Sequence, residues 1–364
     1  MNSNPQHTAA SRKEDHINLA LAQQNSAVRH SDFDDLEFIH HALSGRNIES
    51  VDLKTEVAGK TWQHPLYINA MTGGTDSALR INTALAEAAA ATGTAIATGS
   101  VGIALDQPET AATFKVLRER NPHGFVFSNI GAGRSVDDAR RAVDLLEADA
   151  LQIHVNAVQE TVMPEGERRF ETWLPLIAEI VQAVPVPVVV KEVGFGLSRR
   201  TLKQLGEIGV QIADVSGTGG TNFALIEAAR RPEGYDDLLS YGQSAIVSLL
   251  DAPQFDTLLA SGGVRTAMDA VKLLALGARS VGIAGAILKE AVDGDSERVV
   301  SALNWWITRI REISALLGAA TCAELQHTDV LIRGRVKEYC QLRGVDPAGF
   351  ASRSSERANS ERLR

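Results

Sequence analysis

Residues 257–284 read TLLASGGVRTAMDAVKLLALGARSVGIA. Thr257–Ser261 and Ser280–Ala284 are short apolar runs, and the stretch between them has helical periodicity. Thr266, with Asp269 three residues on, is an N-terminal cap; Val271, Leu273 and Leu274 supply an apolar face; Gly277 supplies a left-handed stop. Run, glycine turn, capped helix and run make one β-α-β unit, whose strands are parallel. The same grammar extends back along the chain through Leu66–Ala70, Thr94–Thr98, Phe125–Asn129, Ala150–His154, Val186–Lys191 and Ile212–Ser216. Eight runs match the strands of a closed (β/α)8 TIM barrel of the α/β class, and fit an open sheet less naturally.

The intervening helices carry similar punctuation. Ser135 and Asp138 cap a face of Val136, Ala139, Val143 and Leu146, while Ser198 and Gly209 bracket Leu202, Leu205 and Ile208. Val299 to Leu317 reads as a long helix closing the outer ring, with Trp305 and Trp306 as packing residues. No further repeat and no Gly/Ser linker interrupts the pattern, so one elaborated domain is expected. Its parts are an N-terminal arm and barrel-bottom extension over 1–65, the barrel over 66–320, a C-terminal helical segment over 321–350, and a tail over 351–364. Within the extension, Phe33 to Leu43 is amphiphilic, and Ile48 to Val57 is expected to give a strand or two that plug the barrel bottom. The tail is Ser, Arg and Glu with little to bury, and is expected to fray.

At 44% hydrophobic and 22% charged residues, with 30 Gly against 11 Pro, the 364-residue chain is globular, neither disordered nor collagenous. Lys plus Arg total 36 against 45 Asp plus Glu, and the net charge of −9 argues against nucleic-acid and anionic-membrane partners. Any bound anion must be held locally. Cys322 and Cys340 form no C-x-x-C pair, the opening Met1-Asn2-Ser3-Asn4-Pro5-Gln6 has no export pattern, and no apolar run reaches membrane-spanning length. A cytoplasmic protein is expected.

Active sites of such barrels lie where strands end. The ends here are Asn69-Ala70-Met71-Thr72-Gly73-Gly74, Gly99-Ser100, Asn129, His154-Val155-Asn156, Lys191-Glu192, Ser216-Gly217-Thr218-Gly219-Gly220-Thr221, Ser261-Gly262-Gly263 and Ala284-Gly285. Any single glycine is most simply a turn residue. Two clusters at the phosphate-binding end of a barrel point instead to a phosphorylated cofactor held by backbone amides.

Lys191 ends an otherwise apolar strand, so its ammonium must face the mouth or find an anion. It can stabilise an anionic reduced flavin, form a Schiff base, or pair with Glu192, although adjacent strand residues point apart. His154, Asn156, Gln159 and Glu160 can together bind an anion and a hard cation; a single Glu suits Mg²⁺ held mostly by water and substrate phosphates. Arg12-Lys13-Glu14-Asp15-His16 reads by itself as a solvated charge run, or as a mobile arm supplying cations to an anionic substrate.

Five motifs occur in order: Arg12-Lys13-x-Asp15-His16, Ile68-Asn69-Ala70-Met71-Thr72-Gly73-Gly74, His154-x-Asn156-x-x-Gln159-Glu160, Lys191-Glu192-Val193-Gly194 and Ser216-Gly217-x-Gly219-Gly220-Thr221. In these the chain resembles the type 2, FMN-dependent isopentenyl-diphosphate isomerases. The resemblance implies conversion of isopentenyl to dimethylallyl diphosphate, with reduced FMN as acid and base, Mg²⁺ on the diphosphate, and NADPH or NADH as reductant. It assigns FMN to Ala70, Met71, Thr72, Ser100, Asn129, Lys191, Ser216, Thr221, Gly262, Gly263, Arg265, Ala284 and Gly285. Arg12, Lys13, His154, Asn156 and Gln159 would hold the substrate, with Gln159 also the catalytic residue, positioning the substrate or relaying a proton, and Glu160 on Mg²⁺.

One departure stands out: many members follow the second strand's Gly-Ser with Gln or another polar residue that can reach the substrate, and this chain has Val101-Gly102. A symmetric homo-oligomer, tetramer or octamer, is also implied. The competing readings are an FMN-dependent 2-hydroxy-acid oxidoreductase, which needs a base histidine late in the barrel where this sequence has none, and a non-catalytic flavin- or phosphate-binding barrel. An inosine-monophosphate-dehydrogenase-like enzyme would want a loop cysteine near the sixth strand, and both cysteines come too late.

Overall fold

The structure, a computed structural model, describes residues 19, 21–23, 31–228 and 235–354. Eight parallel strands close a barrel: Leu66–Ile68 (β1), Ala95–Ala97 (β2), Val126–Gly131 (β3), Ala150–Val155 (β4), Val188–Glu192 (β5), Ile212–Asp214 (β6), Thr257–Ser261 (β7) and Ser280–Ile283 (β8). Each pairs with the next in sequence, and β8 returns to β1 with Val281 beside Leu66. The seven strands after β1 each follow at least one helix, as the residue 257–284 unit requires. Ser135, Ser198 and Thr266 are N-caps as read, and Thr266 with Asp269 forms a full capping box. β5 begins at Val188, two residues later than the apolar run, because Pro187 has no N–H to give the ladder.

Both faces of the strands are covered, so they read as near-continuous apolar runs. Tyr67, Phe127, Val189, Ile212 and Leu259 fill the barrel, while Ile68, Ile96, Ile153 and Val190 face the helical layer. The long outer helix is Ser296–Leu316; Trp306 is buried in it, whereas Trp305 is 55% exposed and is not core. No helix among the described residues is long and apolar enough to cross a membrane.

The barrel bottom meets expectation in part, with a strand at Thr55–Val57. Ile48–Ser50 is an exposed 3-10 turn, and the plug is the antiparallel hairpin of Thr55–Val57 and Lys60–Trp62. Ala58 and Gly59 both take positive φ, the two-residue turn that matches strand twist. Trp62 thereby reaches under the barrel, with ring centroids 5.2 Å from Phe125 and 5.9 Å from Phe127.

Phe33 to Leu43 is also more than one amphiphilic segment: a 3-10 turn, Asp32–Asp35, leads into Leu36–Phe38, which pairs antiparallel with Val330–Ile332. Residues 321–350 therefore contain a strand as well as the helix Gly334–Arg343. The start of the supposed tail is held, since Arg353 donates to the carbonyls of Thr328 and Ala275 and Ser354 donates to Asp329. Residues 355–364 lie outside the described residues. Cys322 and Cys340 are buried free thiols.

His64 sits at the bottom rim, its Nδ1 accepting the Leu66 amide and its Nε2 within 3.3 Å of the Thr92 carbonyl. Burial lowers its pKa from 6.5 to about 4, against the Thr92 bond and with some help from Arg311. A base depressed on folding contributes stability above its unfolded value and loses it as pH falls toward the folded one. Urea unfolding should therefore show stability dropping by about 3 kcal/mol between pH 6.5 and 4, from about 1.4 kcal/mol per pKa unit. His64→Gln should flatten that limb, and an unchanged acid slope would remove His64 as its source.

Candidate active site

All eight strands deliver their C-terminal ends to one mouth, which opens on a cavity of about 500 Å³. Ala70, Met71, Thr72, Ser100, Asn129, His154, Gln159, Glu160, Lys191, Ser216, Thr221, Gly262, Gly263, Arg265, Ala284 and Gly285 all line it. Asn156 does not; it is 3% exposed and lies behind Gln159. Arg12 and Lys13 lie outside the described residues.

At one end the loops after β6 and β7 pack glycine against glycine. Gly262 has φ +92°, and a Cβ there would stand 2.0 Å from the Gly217 carbonyl oxygen, so any side chain would push the loops apart. The amides of Gly219, Gly220, Gly262 and Gly263 find no acceptor among the described residues. Beside them helix Gly285–Asp293 begins from Ala284 without a side-chain cap, and Arg265 is held by the Gly219 carbonyl at 2.9 Å. Clustered amide donors, a helix N-terminus and a guanidinium fit a phosphate monoester such as that of FMN.

The floor is charged, which the sequence showed only in part. Lys191 is 3% exposed and donates to the carbonyl of Glu192, whose own carboxylate turns away to accept the amides of Val193 and Phe195. Lys191 and Glu192 are thus not a side-chain pair. Burial lowers the Lys191 pKa, and the nearby charges of Asp214 and Glu192 oppose that shift. Burial pushes Glu192 up to about 8 in spite of those amide bonds.

Asp214, wholly buried beside Lys191 in the β5–β6 register, accepts from Tyr67, Asn69, Ser261 and the Ser216 amide. Sequence reasoning missed Asp214 and Tyr67. The available signal was a carboxylate two residues inside a strand end, one strand from a buried lysine.

Across the cavity the orientation of Gln159 is fixed by a chain of hydrogen bonds that starts at a backbone donor. The Gln159 amide donates to Asn156 Oδ1 at 2.9 Å, so Asn156 Nδ2 must be the atom facing Gln159 Oε1 at 3.1 Å. Gln159 Nε2 therefore donates to Glu227 Oε1, 3.1 Å away. Glu227 is completely buried on helix Phe223–Ala228 and was not foreseen, being nearly seventy residues from its partner.

His154 Nδ1 lies 2.8 Å from Asn129 Oδ1, with the Asn129 amide group on Gln152, which directs the Nε2 edge of His154 over Gly131. Glu160 accepts the Glu167 amide at 2.7 Å. No group of three His, Cys, Asp or Glu that could hold a metal occurs among the described residues. A lone carboxylate at the cavity wall suits a cation whose other ligands are water and a bound anion. The N-terminal arm reaches this mouth at Gln23, which exchanges two hydrogen bonds with the backbone of Asn222, next to Thr221.

The chain is 49% identical over 350 residues to an isopentenyl-diphosphate delta-isomerase of Streptomyces sp. (strain CL190), covering 96% of each protein. It is 51% identical over 350 residues to that of Kitasatospora griseola, again 96% of each, and 43% identical over 339 residues to that of Staphylococcus aureus (strain JH9), 92% of this chain and 97% of that one. The chain belongs to the isopentenyl-diphosphate delta-isomerase family.

The FMN-dependent dehydrogenase profile matches residues 149–332, consistent with the flavin-dependent type 2 branch of that family. A flavocytochrome b2 mutant with benzoylformate superposes with TM-score 0.64 at 20% identity, covering 81% of this chain and 76% of that one. A mandelate oxidase mutant with (S)-mandelic acid gives 0.61 at 16%, covering 89% and 94%. These two likenesses carry the barrel fold alone.

Proposed function

We propose that the protein interconverts isopentenyl and dimethylallyl diphosphate, holding FMN on the amide cradle and the substrate diphosphate near His154 and Glu160. The observation that supports this most is the Gln159–Glu227 pair: a fixed amide backed by a buried carboxylate, opposite a phosphate cradle in the same cavity.

The reaction adds a proton at one carbon of an alkene and removes another two carbons away, with no net redox change. Reduced FMN, when bound, supplies acid–base chemistry to that alkene. This chain's residues do the rest. Lys191 brings positive charge to the cavity floor, where it would stabilise an anionic reduced ring. Gln159 orients the prenyl group, and Glu227 keeps the Gln159 amide from rotating. Glu160 would hold Mg²⁺ on the diphosphate, with His154 and the cations of Arg12 and Lys13 sharing its charge. Apolar lining from Met71, Ile103, Met163 and Leu288 keeps water from the tail. NADPH or NADH would supply the electrons that reduce bound FMN, and a cytoplasmic homo-oligomer completes the reading.

A 2-hydroxy-acid oxidoreductase is less well supported. Among the described lining residues His154 is the only histidine, and His327 lies outside the cavity.

The test is an absorbance spectrum before and after NADPH, followed by product analysis. The expected result is a yellow protein that, once reduced, forms dimethylallyl diphosphate only with Mg²⁺. Glu160→Gln should raise the Mg²⁺ requirement about tenfold with flavin content unchanged. Colourless protein after reconstitution, or hydroxy-acid turnover coupled to flavin bleaching, would overturn the reading.

A further inference from the structure

Within the proposed function, the structure assigns Arg134 as a substrate-binding residue that clamps the diphosphate, with Asp106 as the residue that positions it. Arg134 follows β3, on the turn closed by its own amide to the Gly131 carbonyl, and lines the cavity with His154 and Glu160. Its guanidinium lies across Gly102: a Cβ on that glycine would be 2.9 Å from Nη2 and 3.3 Å from Cζ. The Val101-Gly102 departure therefore leaves a space, and a cation from the neighbouring strand's loop fills it.

The pairing geometry says what that cation can do. Nη1 and Nη2 each donate to one oxygen of Asp106, at 2.8 and 2.6 Å. This end-on fork uses two of five donors, Asp138 Oδ2 stands 3.7 Å from Nη1, and the Nε–Nη2 edge has no acceptor among the described residues. An edge with two parallel N–H groups matches two oxygens of a phosphoryl group.

Fold stability does not require the pair. Asp106 is 56% exposed and the Arg134 side chain 31%, so the pair is solvent-screened and adds little. The other described cations lining the cavity are Arg265, at the glycine cradle, and Lys191, in the floor. Arg134 is the described guanidinium on the side of Glu160, where a second anion would sit.

Inorganic pyrophosphate with Mg²⁺, titrated calorimetrically into the FMN-loaded protein, tests this without turnover, and steady-state kinetics tests it with turnover. Arg134→Gln removes the guanidinium over Gly102 while keeping a polar side chain, and should weaken pyrophosphate binding about tenfold, raising KM for isopentenyl diphosphate similarly with kcat within about threefold. Asp106→Asn should move the same two quantities about threefold and leave the flavin spectrum unchanged. Wild-type Kd and KM in yellow, active Arg134→Gln protein would overturn the assignment, as would failure of the unmodified protein to bind pyrophosphate. Pyrophosphate binding that depends on Arg134 in a protein that does not isomerise the substrate would keep the clamp and remove the proposed reaction.

Discussion

Lys191→Met should produce a protein that is both less stable and nearly inactive, the largest change expected from one substitution. The structural half follows from Asp214. That carboxylate is fully buried, and Lys191 is the buried cation beside it in the β5–β6 register. Four donors to Asp214 remain after the substitution, from Tyr67, Asn69, Ser261 and the Ser216 amide, so the carboxylate is not orphaned. It does lose the nearby positive charge, although Lys191 itself donates to the Glu192 carbonyl and makes no direct ion pair with Asp214, so the cost should be about 1–2 kcal/mol.

Lys191→Met/Asp214→Asn removes the buried charge but turns one acceptor oxygen into an NH2 facing donors, so it should recover only part of that stability. It should not recover activity, since the cavity floor still lacks positive charge. The functional half is therefore separable: on this reading the single variant should bind reduced FMN at least about tenfold more weakly than wild type, relative to oxidised FMN. Anaerobic titration of both flavin states and urea unfolding of the three proteins measure the two halves. Equal stability of wild type and Lys191→Met would mean that the Lys191 charge contributes nothing to holding this buried cluster.

This pair also marks where the sequence stops being readable. The strand and helix order was legible because it rests on local signals: caps at Ser135 and Thr266, the stop at Gly277, and apolar runs covered on both faces. The cavity wall was legible because strand ends converge by topology, whatever the loops do. Partners that meet only through closure of the barrel were not. Tyr67 and Asp214 stand 147 residues apart, and Gln159 and Glu227 stand 68 apart.

Trp62 was missed for a related reason. Its role comes from a hairpin whose turn contains a positive-φ alanine, Ala58, which no turn signature flags. Asn156 is a case that the motif alone does not place: it groups with the substrate-binding residues, and the cap geometry of a helix starting at Ala157 turns it inward behind Gln159.

That position decides what substitutions around Gln159 should do. Gln159→Ala is expected to lower kcat about 10²- to 10³-fold while KM changes little, because the amide acts on the reacting group and not on the diphosphate. Asn156→Ala should reproduce part of that loss, about tenfold, and likewise in kcat, since it removes the acceptor of the Gln159 amide and the donor to Oε1 without touching the cavity. A substrate-binding role for Asn156 would show instead as a raised KM.

Glu227 separates two ways in which Gln159 can work. In Glu227→Gln the new side-chain oxygen still accepts from Gln159 Nε2, so if Glu227 only fixes orientation, kcat should fall less than about tenfold. If the carboxylate also takes up or returns a proton through Gln159, the loss should approach that of Gln159→Ala, and the pH dependence of kcat should change with it. Measuring kcat against pH for Glu227→Gln therefore shows whether this buried acid orients the amide or also moves a proton.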